Sequence, residues 1–471
     1  MPLTLHVCAP KIAPLLCCAA LLGFAASVSA DPKPLSKEEQ AKVDKAIDKG
    51  VAYLKRIQRE KGNWPLFIKS GFALGQTLLP AYALLESGVP ADDPVIKKAA
   101  NFVRPRLLKL DQTYDVSLAI LFLDRLGDPQ DKKAIQSLAL RLIASQHRTG
   151  GWNYRCLTVS EANETALLKS LEKLSKHFKE GGTMNREALQ TLEVPHSLRS
   201  LTIFQDSKKN AWVERGAQND KEPLPLLHTT DNSNTQFAML GLWAARRHGV
   251  PMEPTFRILV ERFERSQVAN GWWTYTLDHK GDLAYIKEFP SMICVGLLGL
   301  GIGRGLKLPT PGASQPREED LRILKGLVAL SQDLGVAAGR PEAPLTKRGS
   351  YYLWSVERVA MLYDLPMIGD KDWYKWGAGI LLAAQGSGGE WNNVLVNGKN
   401  FGGGRGVSTM AVADTSFALL FLKRSHPLKE LTAKLPLKGK KLNQGIASLF
   451  NSVPPLEPST TTQNRSDKPN R

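Results

Sequence analysis

Cysteine is scarce in this chain: five in 471 residues, three of them within the first 18. The other two, Cys156 and Cys294, make no spaced pair of metal ligands and allow one disulfide at most. Two separate buried thiols is the simpler reading. No metal site and no cofactor is expected. Strand-like alternation of useful length is missing, which argues against a sheet-based fold. One apolar run near the N-terminus apart, no stretch approaches membrane-spanning length. Nucleic-acid motifs are lacking too.

The N-terminal run, KIAPLLCCAALLGFAASVSA, carries Lys11, then an apolar segment of signal-peptide length, then small residues at Val28 and Ala30. It reads as an export signal over residues 1–30, cleaved to give a periplasmic or extracellular protein. A lipoprotein is the alternative because of Cys17 and Cys18, but Pro14-Leu15-Leu16 lacks a small residue before them.

Acidic residues are outnumbered, 45 against 62 Lys and Arg, a formal charge of +17. The signal segment holds only Lys11, so +17 − 1 leaves +16 on residues 31–471. Such a balance points to an anionic surface as partner or to a plain solvated basic face. Export argues against nucleic acid.

What is abundant is helical periodicity. Val43, Ile47, Val51, Leu54 and Ile57 fall three or four apart on one face. A stretch apolar nearly all round follows, GFALGQTLLPAYALLESG (71–88), which suits a helix buried on most sides. The pairing recurs: 92–109 with 113–127, 130–146 with 232–249, 253–267 with 289–303, 318–335 with 351–365, and 371–385 with 412–425. Six hairpins of this kind must lean on neighbours to bury their apolar members. The expected fold is all-α, an (α/α)6 toroid with an apolar inner ring and an amphipathic outer ring. The toroid is expected over residues 31–428, interrupted by an insertion at 157–227. Residues 429–471 are read as a basic, largely disordered tail.

Four hairpins carry Gln-x-x-x-Gly-x-Trp after their first helix: Gln58, Gly62, Trp64; Gln146, Gly150, Trp152; Gln267, Gly271, Trp273; Gln385, Gly389, Trp391. Gly allows a sharp turn at a helix end. The Gln amide can reach groups left unpaired at neighbouring helix ends. Trp plugs the corner with apolar surface. The motif is therefore read as architectural.

The segment KGVAYLKRIQREKGNW, with its three further copies, resembles the QW repeat of squalene and oxidosqualene cyclases and of protein prenyltransferase β-subunits. The resemblance covers roughly residues 40–428 apart from the insertion, and is strongest to exported bacterial proteins with prenyltransferase and squalene-oxidase repeats. It implies the toroid with a central cavity; activity does not follow from fold. The Asp-x-Asp-Asp acid of squalene cyclases has no counterpart, the nearest segment being DNSN at 231–234. The zinc site of the prenyltransferases is missing as well, since Met292 stands where an Asp would precede Cys294. The Gly-Cys-Gly-Glu-Gln thioester segment of complement-type toroids is also lacking.

Polar groups for a cavity should collect where inner helices begin. Candidates there are Asp115; Asp231, Asn232, Asn234 and Gln236 in DNSNTQ; Glu288 and Ser291; and Asp414. N-capping is the plainer role for Asp115 and Asp414, whereas DNSNTQ has more polar groups than a cap requires. Glu357 and Arg358 interrupt an apolar helix, so they form a structural bridge or line a ligand site with Trp354. His228 is a candidate acid or base. Two functions follow. One is a ligand-binding toroid for a small apolar, peptidic or polysaccharide ligand. The other is an enzyme, either a divergent terpenoid cyclase or transferase or a carbohydrate-active type using carboxylates drawn from Asp231, Glu357 and Asp414. Carboxyls bonded to helix-end amides would favour the first.

Overall fold

The computed structural model describes residues 34–65, 74–182, 185–205, 230–277, 289–308, 316–334, 349–392, 395–396, 399–400 and 410–452. Helices dominate. In chain order they begin with α1 (Lys37–Ile57), α2 (Gly75–Glu86), α3 (Pro94–Val103), α4 (Thr113–Leu126), α5 (Lys132–Ala144) and α6 (Glu161–Lys179). There follow α7 (Arg186–Thr191), α8 (Asn232–Ala245), α9 (Glu253–Ser266), α10 (Pro290–Leu306) and α11 (Pro316–Asp333). The last are α12 (Ser350–Leu362), α13 (Trp373–Ala384), α14 (Met410–Leu422), α15 (Lys429–Thr432) and α16 (Gly439–Ser452).

Six of these close a ring. Helix α2 packs on α4, α4 on α8, α8 on α10, α10 on α12, α12 on α14, and α14 back on α2. The remaining hairpin members α1, α3, α5, α9, α11 and α13 pack outside them. Composition decides which ring a helix joins. All fourteen residues of α8 are buried, whereas α1 buries only Val43, Ala46, Ile47, Gly50, Tyr53 and Leu54, one stripe at helical spacing. The expected hairpin pairing and the two-layer toroid are both present.

The repeated motif joins consecutive outer helices in one fixed geometry. The indole N–H of Trp64, Trp152, Trp273 and Trp391 donates to the carbonyl ten residues earlier, at Leu54, Leu142, Phe263 and Leu381, over 2.7–2.9 Å. All four indoles are at most 2% exposed. Each Gln Nε2 donates to its own Gly carbonyl and to a carbonyl of the next outer helix: Val95, Thr255, Arg322 and, closing the circle, Ala46. Expectation had the amide serving orphaned groups at helix ends; Arg322 and Ala46 lie well inside α11 and α1 instead. The amide thus shares a carbonyl already inside a helical ladder. The motif glycines have φ between 80° and 93°. A Cβ there would run into the carbonyl oxygen of Lys98, Ile258, Lys325 or Lys49, each three residues beyond the Gln acceptor. Only glycine meets both demands.

Two corners lack the motif, between α3 and α5 and between α11 and α13, and other contacts stand there. Arg104, just after α3, bonds Asp131 and Asp128 at 2.8–2.9 Å ahead of α5. At the other, α16 packs on α11, and Asn443 exchanges two hydrogen bonds with the backbone of Gly369. This corrects the reading of 429–471 as a largely disordered tail: Leu431, Leu435, Leu442 and Ile446 are buried and seat α15 and α16 on the ring. Residues 453–471 lie outside the described residues. Within 157–227, α6 packs on α5 and α9. Two-residue antiparallel ladders, Thr230–Asp231 with Thr276–Leu277 and Leu395–Val396 with Lys399–Asn400, are the strands among the described residues. Cys156 and Cys294 are both free and buried.

Candidate ligand site at the ring centre

The inner helices begin with polar residues and continue apolar, so their starts hold whatever donors and acceptors face the ring. Asp115 in the first turn of α4 accepts from the backbone N–H of Gly75 at 2.9 Å and of Leu74 at 3.3 Å. It therefore caps the neighbouring helix α2, and a Cβ on Gly75 would sit 2.5 Å from its Oδ1. Burial is the main influence on this carboxyl and pushes it up to about 7 against the pull of the two amides. Asp414 of α14 accepts from Ser350 Oγ at the start of α12, at 2.7 Å. Asp231 caps its own helix through Asn234 N–H and also accepts from Asn234 Nδ2, both at 2.7 Å. Burial raises the Asp231 carboxyl as well.

The DNSN segment serves the frame rather than an open cavity. Asn232 Oδ1 accepts from Arg262 Nε at 3.0 Å, and its Nδ2 donates to the Thr274 carbonyl at 2.7 Å. Arg262, fully buried on outer helix α9, also donates to Thr149 and Thr230. Desolvation lowers this guanidinium to about 9, leaving it charged at neutral pH. This knot fastens the second Trp loop to the start of α8, and nothing in the periodicity of ERFERS marks Arg262 for it. Ser291 is buried in the first turn of α10. His228 and Glu288 lie outside the described residues.

Aromatic rings fill the middle of the ring at this level. Tyr114 (α4) meets Phe237 (α8) at 5.0 Å between centroids, and Phe237 lies nearly parallel to Tyr351 (α12) at 6.5 Å. Trp354, one turn further along α12, contacts Phe237 at 5.4 Å and Phe417 (α14) at 4.9 Å. Helices α8 and α12 are not ring neighbours, so these contacts span the interior of the ring. Hydroxyls thread the same cluster. Tyr114 donates to Ser233 at 2.7 Å, Ser233 and Tyr351 share a bond of 2.9 Å, and Gln236 Nε2 donates to Tyr351 at 3.0 Å. Burial raises Tyr351 to about 12, so it stays neutral. The rings continue outward: Tyr114 neighbours Tyr154 at 6.1 Å, Tyr154 and Tyr275 hydroxyls meet at 3.2 Å, and Tyr275 contacts Phe289 at 5.5 Å. Tyr154 and Phe289 are 45% and 41% exposed.

Below Trp354 lies the pair that interrupts α12. Its guanidinium carbon 3.2 Å from the centroid of the indole, Arg358 stacks on Trp354 and reaches Ser355 Oγ at 3.3 Å. Glu357 is fully buried, and among the described residues neither of its oxygens has a hydrogen-bond partner. Burial raises its carboxyl well above the usual range, which favours the neutral form. The structural bridge expected for this pair is not formed among the described residues. Of the candidates named from sequence, Gln236, Trp354 and Arg358 come together at the centre, while Asp115, Asp231, Asn232, Asn234 and Asp414 serve helix starts. Tyr114, Phe237, Tyr351 and Phe417 escaped notice because an aromatic in a fully buried helix gives no signal separating lining from core.

No protein-family model matches the chain, and no curated protein matches it. Among solved structures, the chain is similar to a variant of the type II terpene cyclase MstE from Scytonema in complex with its substrate geranylgeranyl dihydroxybenzoate, at 10% identity. That match covers 83% of this chain and 99% of the other, with a TM-score of 0.44. A second MstE variant, with the product merosterolic acid A, matches at 10% identity over 84% and 100% with a TM-score of 0.43. A protein from Actinoplanes matches at 12% identity over 81% and 99%, TM-score 0.28. At such values the likeness bears no weight on ligand or activity, and the ring rests on this chain's own helix packing.

Proposed function

We propose that this protein is a ligand-binding α/α toroid without cyclase or transferase chemistry, taking a predominantly apolar small molecule against the rings at its centre. The observation that carries the reading is the string of aromatic side chains running from Phe289 and Tyr275 at the surface through Tyr114 to Phe237, Tyr351, Trp354 and Phe417. Aromatic faces with a few fixed hydroxyls make a lining that favours apolar ligands and orients them by single polar contacts.

The carboxyls support the same reading from the other side. Protonating an alkene needs a strong acid. Asp115, Asp231 and Glu357 are all shifted upward by burial, toward weaker acidity. Asp115, Asp231 and Asp414 are moreover occupied at the starts of three different helices, α2, α8 and α12. A pair poised across a glycosidic bond needs two carboxyls facing one open space, which that arrangement does not supply.

The test uses the full chain and 1-hexadecanol as an apolar probe, followed by tryptophan fluorescence and native mass spectrometry. Saturable binding with one probe per chain is expected, and Trp354→Ala should weaken it about tenfold or more, the ~1.4 kcal/mol that one lost aromatic contact amounts to. Absence of saturable binding in the intact protein sinks the reading. Export through residues 1–30 belongs to the same proposal; a mature protein recovered outside the cytoplasm with Asp31 at its N-terminus is the expected result, and a cytoplasmic full-length chain would overturn it.

A further inference from the structure

We propose that the buried guanidinium of Arg358 anchors the anionic head of an amphiphile, a carboxylate or a phosphate, whose apolar body lies along Trp354, Phe417 and Phe237. The inference rests on the binding reading above and narrows it to a ligand class.

Arg358 is 1% exposed, and among the described residues only its Nη2 has a partner, the long contact to Ser355. Nε and Nη1 have no acceptor there. The groups that feel its charge are Glu357 and Tyr351 on its own helix, Cys294 on α10, and Tyr82 on α2, which is not a ring neighbour of α12. Tyr351, Cys294 and Tyr82 offer no counter-charge at neutral pH. Tyr351 is held up to about 12, and burial raises Tyr82 and Cys294 further. Glu357, the adjacent residue, does not supply one either. Successive residues on a helix do not face each other, both Glu357 oxygens are without a hydrogen-bond partner among the described residues, and burial raises the carboxyl well above its usual range, which favours the neutral form. Arg358 itself is lowered only to about 10, so it remains a cation.

A desolvated cation without an opposite charge is expensive to keep in a folded chain. Stacking on Trp354 offsets part of this through the indole face. It leaves two N–H-bearing nitrogens without an acceptor among the described residues. A carboxylate or phosphate oxygen supplies both the missing charge and the missing acceptors, and guanidinium is the side chain whose planar donors suit those groups. The side chains between Arg358 and the exposed Tyr154 and Phe289 include a chain of contacting rings, so an anion carried on an apolar body suits the site best; a bare inorganic anion gains nothing from Trp354, Phe237 and Phe417.

Three probes separate the possibilities in calorimetric titration of the full chain below their micelle concentrations: hexadecanoate, hexadecyl phosphate and 1-hexadecanol. At least one anionic probe is expected to bind about thirtyfold more tightly than the alcohol, ~2 kcal/mol at 1.4 kcal/mol per tenfold. The tighter of the two anions identifies the head as carboxylate or phosphate. Arg358→Met should abolish the preference while leaving the alcohol within about threefold of its original affinity. Equal binding of alcohol and anions overturns the anchor and leaves the binding reading standing; failure of all three probes removes both. A preference that survives in Arg358→Met also overturns the anchor. Should that variant not fold, wild-type protein labelled with 15N-arginine decides: the Arg358 Nε–H resonance should move with the anionic probe and not with hexadecanol, and an unmoved resonance in the anion-bound protein overturns the proposal.

Discussion

The corners of the ring and its centre are both built from buried aromatics, yet they are built on opposite terms. At the corners every side-chain donor of the motif is committed, although Gln146 Oε1 has no partner among the described residues. The indole N–H, the Gln amide N–H groups and the glycine carbonyl meet partners at 2.7–3.2 Å, four times over. At the centre polar atoms are left over: Arg358 Nε and Nη1, both Glu357 oxygens and Gln236 Oε1 lack partners among the described residues. A motif whose donors are met alike four times over is a structural part, and several unpartnered polar atoms gathered in one place mark a site where stability was not the governing requirement.

The largest expected break in that contrast is a tryptophan exchange. Trp152→Ala empties a buried corner, removes the bond to Leu142 and should cost ~3–5 kcal/mol of stability. The affinity of the folded fraction for hexadecanol should stay unchanged. Thermal unfolding monitored by circular dichroism, alongside titration, checks both. If Trp354→Ala lowers stability as much as Trp152→Ala and leaves binding alone, the corners and the centre do not differ in kind.

A smaller effect sharpens the corner side. Gly150→Ala places a side chain at φ 80° against the backbone of α9 and should cost ~1–3 kcal/mol. Gly379 in α13 has open space where a methyl group would stand and no positive φ, so Gly379→Ala should stabilise by ~0.5–1 kcal/mol. Denaturant midpoints of the two variants should move in opposite directions; movement in the same direction would remove glycine's special role in the motif.

A pH-dependent effect probes the rim between the two regions. Asp115 is raised in the folded state to about 7 from the usual carboxylate value. The folded chain therefore binds more protons than the unfolded one between about pH 4 and pH 7, and stability falls as pH climbs through that window, by at most ~1.4 kcal/mol per pH unit. Asp115→Asn should flatten this slope while lowering stability overall, because an amide cannot accept from both Gly75 and Leu74 as a carboxylate does. An unchanged slope would mean that Asp115 is ionised in both states.

These regions also differed in how far the sequence disclosed them. The corners were legible because the motif repeats: four copies of Gln, Gly and Trp at one spacing show a constraint that composition alone hides. The six helix pairs were legible because amphipathic α1 and uniformly apolar α8 differ so plainly in pattern. The centre was not, since in a helix buried on all sides nothing in the order of residues tells which ring looks inward; Tyr114, Phe237, Tyr351 and Phe417 are ordinary core residues until the helices are arranged. DNSN misled for a related reason. Its polar groups are shared out: Arg262 reaches Asn232 from an outer helix, Asp231 takes Asn234, and Tyr114 and Tyr351 take Ser233. The C-terminal helices were missed because four aliphatic residues spread through a basic stretch look like too little to fasten it.

The last of the four corners joins Gln385 to Ala46, residues 339 apart. Every other corner can form as the hairpin beyond it is made, but this one waits for both extremities of the circle, so the toroid has a seam. Joining so distant a pair carries the greatest loop-closure entropy of the four, and the seam is where a nascent chain stays open longest and where strained or damaged rings should first gape. Relocating the termini to another corner, with the end of the chain beyond α16 tied to the start of α1 by a linker, would heal the seam and move the breathing point elsewhere around the circumference.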